Sequence, residues 1–389
     1  MKTYLPLIGI NLLILQLMAG LYIHIPFCKR KCIYCDFYSI AGPPDLMGGY
    51  AGALIDEFDN RKDELGGERI STVYLGGGTP SLMPAGLLYK IVSHIGLDGV
   101  EEATIEVNPD DVAMEYVKEL ADMGFNRVSM GVQSFIDSEL RLLNRRHDAK
   151  GARNAVDILK RCGIHNISID LIYGIPGQTL QSWRESIDAA LSLDVPHISA
   201  YNLTYEEGTR LTMMRDKGRI KDVGDELCVG MFDALSGLLS DAGYEQYEIS
   251  NFSKPGMYSR HNSSYWNFTP YLGLGASAHS FDGRKRRYNP SNLREYVKLI
   301  KEKGYAYRVE EETENQLYNE WVMTRLRTKW GLDINDLGTR FARHYEKTAA
   351  EILEKYSGDG DIHIENGIAR LTKKGIMISD MIFRDLFVV

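Results

Sequence analysis

Cys28-Lys29-Arg30-Lys31-Cys32-Ile33-Tyr34-Cys35 places three of the chain's five cysteines within eight residues, at the spacing C-x3-C-x2-C. The run follows an apolar stretch, Leu21 to Ile25, that reads as a short β-strand ended by Pro26. Structural zinc sites take four ligands, usually as two pairs, and no second Cys or His pair lies near this one. Three cysteines on one loop instead suit three irons of a 4Fe-4S cluster, leaving the fourth iron open. An open iron is a place for chemistry and not only for electron storage. The other thiols, Cys162 and Cys228, stand alone and read as packing residues.

At 389 residues the chain is long enough for two or more domains with cores of their own. Its formal net charge of −8 gives no electrostatic support to a general nucleic-acid role. The cysteines do not form a disulfide framework, and cluster-ligating thiols suit a reducing, cytoplasmic setting. The apolar run Leu5 to Ala19, behind Lys2, conflicts with that setting by resembling a signal-peptide core or short anchor. Its fifteen residues fall short of the roughly 20 that span a bilayer, and a strand begins at Leu21 with no linker. A start at Met18 reconciles the two, with residues 1–17 an upstream extension.

From Leu21 onward short β-rich runs alternate with helix-period segments. The strands read as Leu21–Ile25, Thr72–Leu75, Thr104–Val107, Arg127–Met130, Ile167–Tyr173 and His197–Leu203. Helices read as Leu46–Glu64, Pro84–Ile95, Val112–Met123, Ala149–Arg161 and Leu180–Leu191, with Pro43-Pro44 breaking the chain before the first. Six such units predict an α/β fold with a parallel sheet covered by helices. A closed eight-fold barrel needs two more units, so the expectation is an open six-stranded (β/α)6 partial TIM-type barrel over residues 18–205. Its chemistry belongs at the C-terminal ends of the strands.

The polar motifs fall at those ends. After the second strand comes Gly76-Gly77-Gly78-Thr79-Pro80-Ser81, where glycines let the backbone approach a ligand closely, although a tight turn alone needs no more. It is neither a P-loop nor a dinucleotide fingerprint. Glu106 ends the third strand and points opposite to its neighbours Ile105 and Val107, toward the strand-end pocket. The fourth strand runs into Gly131-Val132-Gln133, and Arg145 lies twelve residues past Gln133. Its guanidinium suits a carboxylate partner. Asp170 sits inside an apolar fifth strand, a costly place for a carboxylate unless it is functional or pairs with Arg145.

The pattern changes after residue 205. Residues 206–223 are polar and irregular, residues 225–242 read as an amphipathic helix and residues 247–249 as a short strand. Arg260-His261-Asn262-Ser263-Ser264-Tyr265-Trp266 follows, then a small-residue loop from Leu272 to Ser280. Residues 206–289 are read as an extension of the barrel and 290–389 as a mostly helical C-terminal domain. Ile364–Leu371, turning at Asn366-Gly367, reads as the wing of a winged-helix-like unit. The acidic balance and the lack of a basic stripe point that unit toward packing or partner contact and away from DNA.

The cysteine spacing, with an aromatic before the third thiol, resembles the radical SAM superfamily. There the open iron is chelated by S-adenosylmethionine (SAM), whose reductive cleavage yields a 5′-deoxyadenosyl radical. The order of Tyr22, Ile25-Pro26-Phe27-Cys28, Gly76-Gly77-Gly78-Thr79-Pro80, Gly131-Val132-Gln133-Ser134-Phe135 and Asp170-Leu171-Ile172-Tyr173-Gly174 resembles the oxygen-independent coproporphyrinogen III oxidases. The resemblance implies Cys28, Cys32 and Cys35 as cluster ligands. It implies Tyr22, Tyr34, Gly77, Gly78, Thr79, Glu106, Gln133, Arg145, Asp170 and Thr204 as the SAM site. Two departures separate the chain from the oxidases: Phe37 stands where they carry a fourth cysteine, and Cys28 follows Met18 by only ten residues, without their N-terminal arm. His261-Asn262-x-x-Tyr265-Trp266 instead resembles the HemW-type heme chaperones of the same family. That implies heme as a third cofactor, with His261, Asn262, Tyr265 and Trp266 at its site and imidazole a standard axial ligand. It also implies membrane-associated respiratory hemoproteins as recipients, a cytoplasmic protein working at the inner face of the membrane, no nucleic-acid partner, and room for a homodimer. The alternative is an enzyme that decarboxylates coproporphyrinogen III.

Overall fold

The computed structural model describes residues 18–41 and 45–389, so residues 1–17 and 42–44, with Pro43-Pro44 among them, lie outside the described residues. Six strands, β1 (Met18–Ile25), β2 (Arg69–Gly77), β3 (Glu102–Val107), β4 (Arg127–Gln133), β5 (Asn166–Tyr173) and β6 (His197–Asn202), lie side by side in chain order, all parallel. Helices separate them: α1 (Asp45–Arg61), α2 (Ala85–Ile95), α3 (Met114–Asp122), then α4 (Asp137–Leu142) with α5 (Ala149–Arg161), and α6 (Leu180–Ser192). This is the open partial barrel that the alternation of strands and helices predicts.

Each strand alternates in character. Leu21, Ile23, Val73, Leu75, Ile105, Val128, Met130, Ile167, Ile169 and Ile198 are buried in the main hydrophobic core. Their neighbours Tyr74, Glu106, Arg127, Ser129, Ser168, Asp170 and Ser199 face the barrel interior, where they line one cavity. Burying the apolar set drives closure of the layers, and the polar set lines the interior with hydrogen-bonding and titratable groups.

The sheet is wider than six strands. β9 (Tyr271–Leu274) adds in parallel to the free edge of β1, followed by β10 (His279–Phe281), β11 (Lys285–Tyr288) and β12 (Arg308–Glu311). On the other side β8 (Asn251–Ser253) and β7 (Glu245–Glu248) pair antiparallel beyond β6, giving twelve strands in all among the described residues. The stretch from Leu272 to Ser280 is thus strand, turn and strand instead of a plain loop. A Cβ on Gly273 would meet the His279 carbonyl oxygen at 1.8 Å, so glycine is what lets the two strands approach. A buried knot ties this extension to α1. Arg61 donates to Glu57 at 2.7 Å, to the Gly273 carbonyl at 3.1 Å and to Ser280 Oγ at 3.0 Å, while Glu57 also accepts from Gly275 N and Tyr296 Oη.

The polar stretch after β6 contains one short helix, α7 (Arg210–Asp216), docked by Leu211 N donating to the Ile33 carbonyl at 2.8 Å. The remaining helices before the C-terminal unit are α8 (Asp225–Asp241), α9 (Arg260–Trp266), α10 (Leu293–Lys303) and α11 (Glu314–Leu326). The tail has its own core and a small sheet, β13 (Leu332–Asp333), β15 (Ile368–Leu371) and β14 (Ile362–Glu365), flanking α12 (Ile334–Arg340) and α13 (Arg343–Gly358). The wing turns at Asn366 and Gly367, with φ of 52° and 79°, the left-handed pair a two-residue hairpin requires. Short helices α14 (Lys373–Met377) and α15 (Ser379–Leu386) close the chain. Among the described residues no helix is long and apolar enough to cross a membrane.

Candidate functional site

A cavity of about 520 Å³ opens at the C-terminal ends of the barrel strands and runs down into the interior. Cys28, Cys32 and Cys35 all reach its wall, and all three are free thiols. Their loop is closed at its base, where Cys28 N donates to the Ile40 carbonyl at 2.9 Å and Ile40 N to the Pro26 carbonyl at 2.7 Å. It is pinned laterally by Ile33 N on the Leu143 carbonyl and by Asn144 Nδ2 on the Lys31 carbonyl at 2.8 Å. Arg30 caps the far side, donating to the carbonyls of Asn144 and Arg145. Burial pushes the Cys28 thiol up and the Cys35 thiol to about 11.

The glycine loop forms the wall facing the thiols. Gly77 has φ of +111°, and a Cβ on Gly78 would lie 2.8 Å from the Phe27 carbonyl oxygen. Bare backbone is therefore required there, and it packs directly against the strand that delivers Cys28. Thr79 Oγ1 lies 3.5 Å from Cys28 Sγ and accepts from Asn108 Nδ2 at 3.1 Å. Glu106 accepts from Tyr74 Oη at 2.8 Å and from Gly77 N at 3.1 Å. Burial, with Asp170 adding like charge, raises the Glu106 carboxyl to about 7.

Arg145 donates through Nη1 to Cys32 Sγ at 3.4 Å and through Nη2 to Asn108 Oδ1 at 2.6 Å and the Gly131 carbonyl at 2.5 Å. Its Nε has no partner, nor has Gln133 Oε1, although both are buried on this wall. Tyr34 and Thr204 also line the cavity. Free thiols, a backbone cradle and orphaned polar atoms fit a cluster with a charged amino-acid ligand beside it.

Two positions differ from expectation. Asp170 is not bonded to Arg145; Ser129 Oγ donates to it at 3.4 Å, and Arg127 offsets its charge more strongly than Arg145. Burial still raises it to about 6. Tyr22 is not among the cavity's lining residues: its ring stacks on Tyr74 at 6.2 Å and its hydroxyl meets His24 Nδ1 at 3.0 Å. His24 in turn reaches the Tyr38 carbonyl through Nε2 at 2.9 Å, bracing the far end of the cluster loop.

The His261-Asn262-x-x-Tyr265-Trp266 motif occupies α9, packed on the strand starts at the opposite end of the barrel from the thiols. Glu102, at the start of β3, accepts from Arg260 N and His261 N at 2.9 Å each. His261 is fully buried, with Nδ1 bonded to Thr72 Oγ1 and Nε2 to Tyr265 Oη, both at 2.8 Å, and its ring stacks on Tyr74 at 5.1 Å. Burial pushes it down to about 3, so it is neutral. Both of its nitrogens are thus hydrogen-bonded within the protein. Gly20 and Thr72 at the strand starts leave the space that the imidazole fills. Asn262 reaches the cavity, and Trp266 Nε1 is buried without a partner.

Sequence motifs pointed to the strand ends but passed over Tyr74, Asn108 and Arg127, which line the same cavity. The signal was present in the alternation of polar residues along every strand, which runs deeper than the motifs.

Family models match for the Radical SAM superfamily over residues 22–190 and for the HemN C-terminal domain over residues 313–378. The heme chaperone HemW of Bacillus subtilis is 36% identical over 375 residues, covering 94% of this chain and 98% of that protein. The heme chaperone HemW of Lactococcus lactis is 32% identical over 375 residues, covering 95% and 97%. Among solved structures, coproporphyrinogen III oxidase (HemN) from Escherichia coli superposes with a TM-score of 0.82 at 23% identity, covering 96% of this chain and 90% of that one. That likeness is one of fold.

Proposed function

This chain belongs to the heme chaperone HemW family of the radical SAM superfamily, and from that premise we propose that it hands heme to respiratory hemoproteins at the inner face of the cytoplasmic membrane. The observation that separates this reading from decarboxylation is Phe37. It stands two residues past Cys35, is 64% exposed and lies on the cavity wall, where an additional thiol would mark the oxidases. An exposed ring offers apolar surface and no metal ligand.

Cys28, Cys32 and Cys35 would hold a 4Fe-4S cluster. Arg145 would pair the SAM carboxylate, Glu106 the ammonium, and Gly77 and Gly78 would present bare backbone to the amino-acid end. Tyr34, Thr79, Gln133, Asp170 and Thr204 would complete the wall. Bound together, cluster and SAM supply one-electron chemistry. This chain's residues set the ligand's orientation and keep its charged end out of water. At the heme motif, His261 acts by holding α9 against Tyr74, while Asn262 and Trp266 supply groups that are free to bind.

Glu106 must be ionised to hold an ammonium. With its carboxyl raised to about 7, affinity for SAM is expected to be full above that pH and to fall toward tenfold for each unit below it. Glu106→Gln should flatten the profile at weak affinity, as read by equilibrium dialysis. A wild-type profile that is flat from pH 8 to 5.5 would remove Glu106 from this role.

The function itself is tested with anaerobic, cluster-reconstituted protein. Heme should bind, and coproporphyrinogen III should be recovered unchanged; conversion to protoporphyrinogen would establish the oxidase instead. His261→Ala should cost about 2–4 kcal/mol of stability, because it opens a cavity and strands Thr72 and Tyr265. The bound heme's absorption bands should stay in place. A shift of those bands in His261→Ala would put the imidazole on the iron.

A further inference from the structure

Arg127 opens β4 at the floor of the barrel and is 1% exposed, yet its Nε and Nη1 have no hydrogen-bond partner. The carboxylate paired with it, Glu102, stands off at 3.9 Å, and both Glu102 oxygens already accept the α9 backbone N–H groups. A buried guanidinium in this state is costly unless something fills it. It lines the cavity together with the hydroxyls of Ser129, Ser168 and Ser199 and the amide of Asn262.

We propose that this floor is a second ligand subsite, one that takes a small monocarboxylate paired with the Arg127 guanidinium. A planar guanidinium matches a carboxylate in a two-pronged bond, and the Asn262 amide provides donors for its remaining lone pairs. A dianion is disfavoured because Glu106 and Asp170 stand above the site. Neither of those carboxyls hydrogen-bonds Arg127, whose Nε and Nη1 stay without a partner. The subsite is separate from the SAM carboxylate. Arg145 stands beside Cys32 at the mouth and holds the Gly131 carbonyl, and four residues of β4, roughly 13 Å of strand, separate the level of Gly131 from that of Arg127. A ligand on the floor would lie beneath SAM, on the side away from the cluster loop. The proposal rests on the functional reading only through the placement of SAM at the Arg145 end.

The test uses cluster-loaded protein with sodium propionate as probe and propionamide as its neutral counterpart, at constant ionic strength set with sodium chloride. Propionate should raise the melting temperature saturably and propionamide should not. An equal response to both, or none to either, overturns the subsite whether or not the protein is a heme chaperone. Arg127→Lys keeps the charge and loses the fork, and should weaken the propionate response about tenfold. An unchanged response removes Arg127 as the partner. Should Arg127→Lys fail to fold, the propionate and propionamide pair on wild type decides alone. Finally, saturating SAM should leave the response in place; its loss by competition would mean that the anion bound there is SAM's own carboxylate, and the second subsite falls.

Discussion

Alanine at Cys28, Cys32 or Cys35 is expected to abolish the cluster outright, with loss of bound iron and of visible absorbance in the anaerobically reconstituted protein. The three thiols share one cavity wall on a loop closed by two backbone hydrogen bonds, and no other cysteine of the chain lines that cavity. Cys162 is packed between helices, its thiol on the Met114 carbonyl at 3.7 Å, and Cys228 is half-buried on α8. Cys162→Ala should therefore keep its iron in full. The contrast carries the assignment: iron lost from Cys162→Ala, or retained in any of the three loop variants, would place the cluster elsewhere.

Gly78→Ala is expected to lower SAM affinity by about a hundredfold and to reduce cluster loading as well. The added methyl would lie 2.8 Å from both the Phe27 carbonyl oxygen and the Pro26 carbonyl carbon, and 3.0 Å from the Ile25 carbonyl oxygen. All three are backbone atoms at the end of β1, so no side chain can swing away. Either the glycine loop retreats from the ligand or the strand end carrying Cys28 moves. A hundredfold is about 2.7 kcal/mol, within the roughly 1–3 kcal/mol typical of forced overpacking. Gly86→Ala is the matched control, since nothing lies within 4 Å of its added methyl. In helix α2 that change should stabilise by up to about 1 kcal/mol and leave SAM binding alone. Isothermal titration with SAM and iron analysis of both variants check the pair, and wild-type affinity in Gly78→Ala would remove the glycine loop from the site.

Much of the barrel was legible because its signals are local. Strand and helix limits read from apolar runs and breakers fall within a few residues of those seen, as with Ala149–Arg161, which matches at both ends. The wing turn at Asn366-Gly367 was readable because two left-handed residues in succession are a property of the dipeptide itself. β9 was not readable, being four residues with a glycine inside; it is a strand only because β1 offers a free edge and the Glu57–Arg61 knot holds it there.

By itself the sequence determined the six β-α units, the three-cysteine loop, the glycine turn and the carboxylate after the third strand. Each of these depends on residues close together along the chain. Only the tertiary structure decided what the polar residues do. His261 reads as a free imidazole until Thr72, 189 residues away, and Tyr265 take both of its nitrogens. Arg127 reads only as the first residue of the fourth strand until the barrel closes around it and Glu102 is drawn off to cap a helix 158 residues further on. A side chain's availability for binding depends on its remaining partners and on its solvent, and both are set by the packing of distant segments.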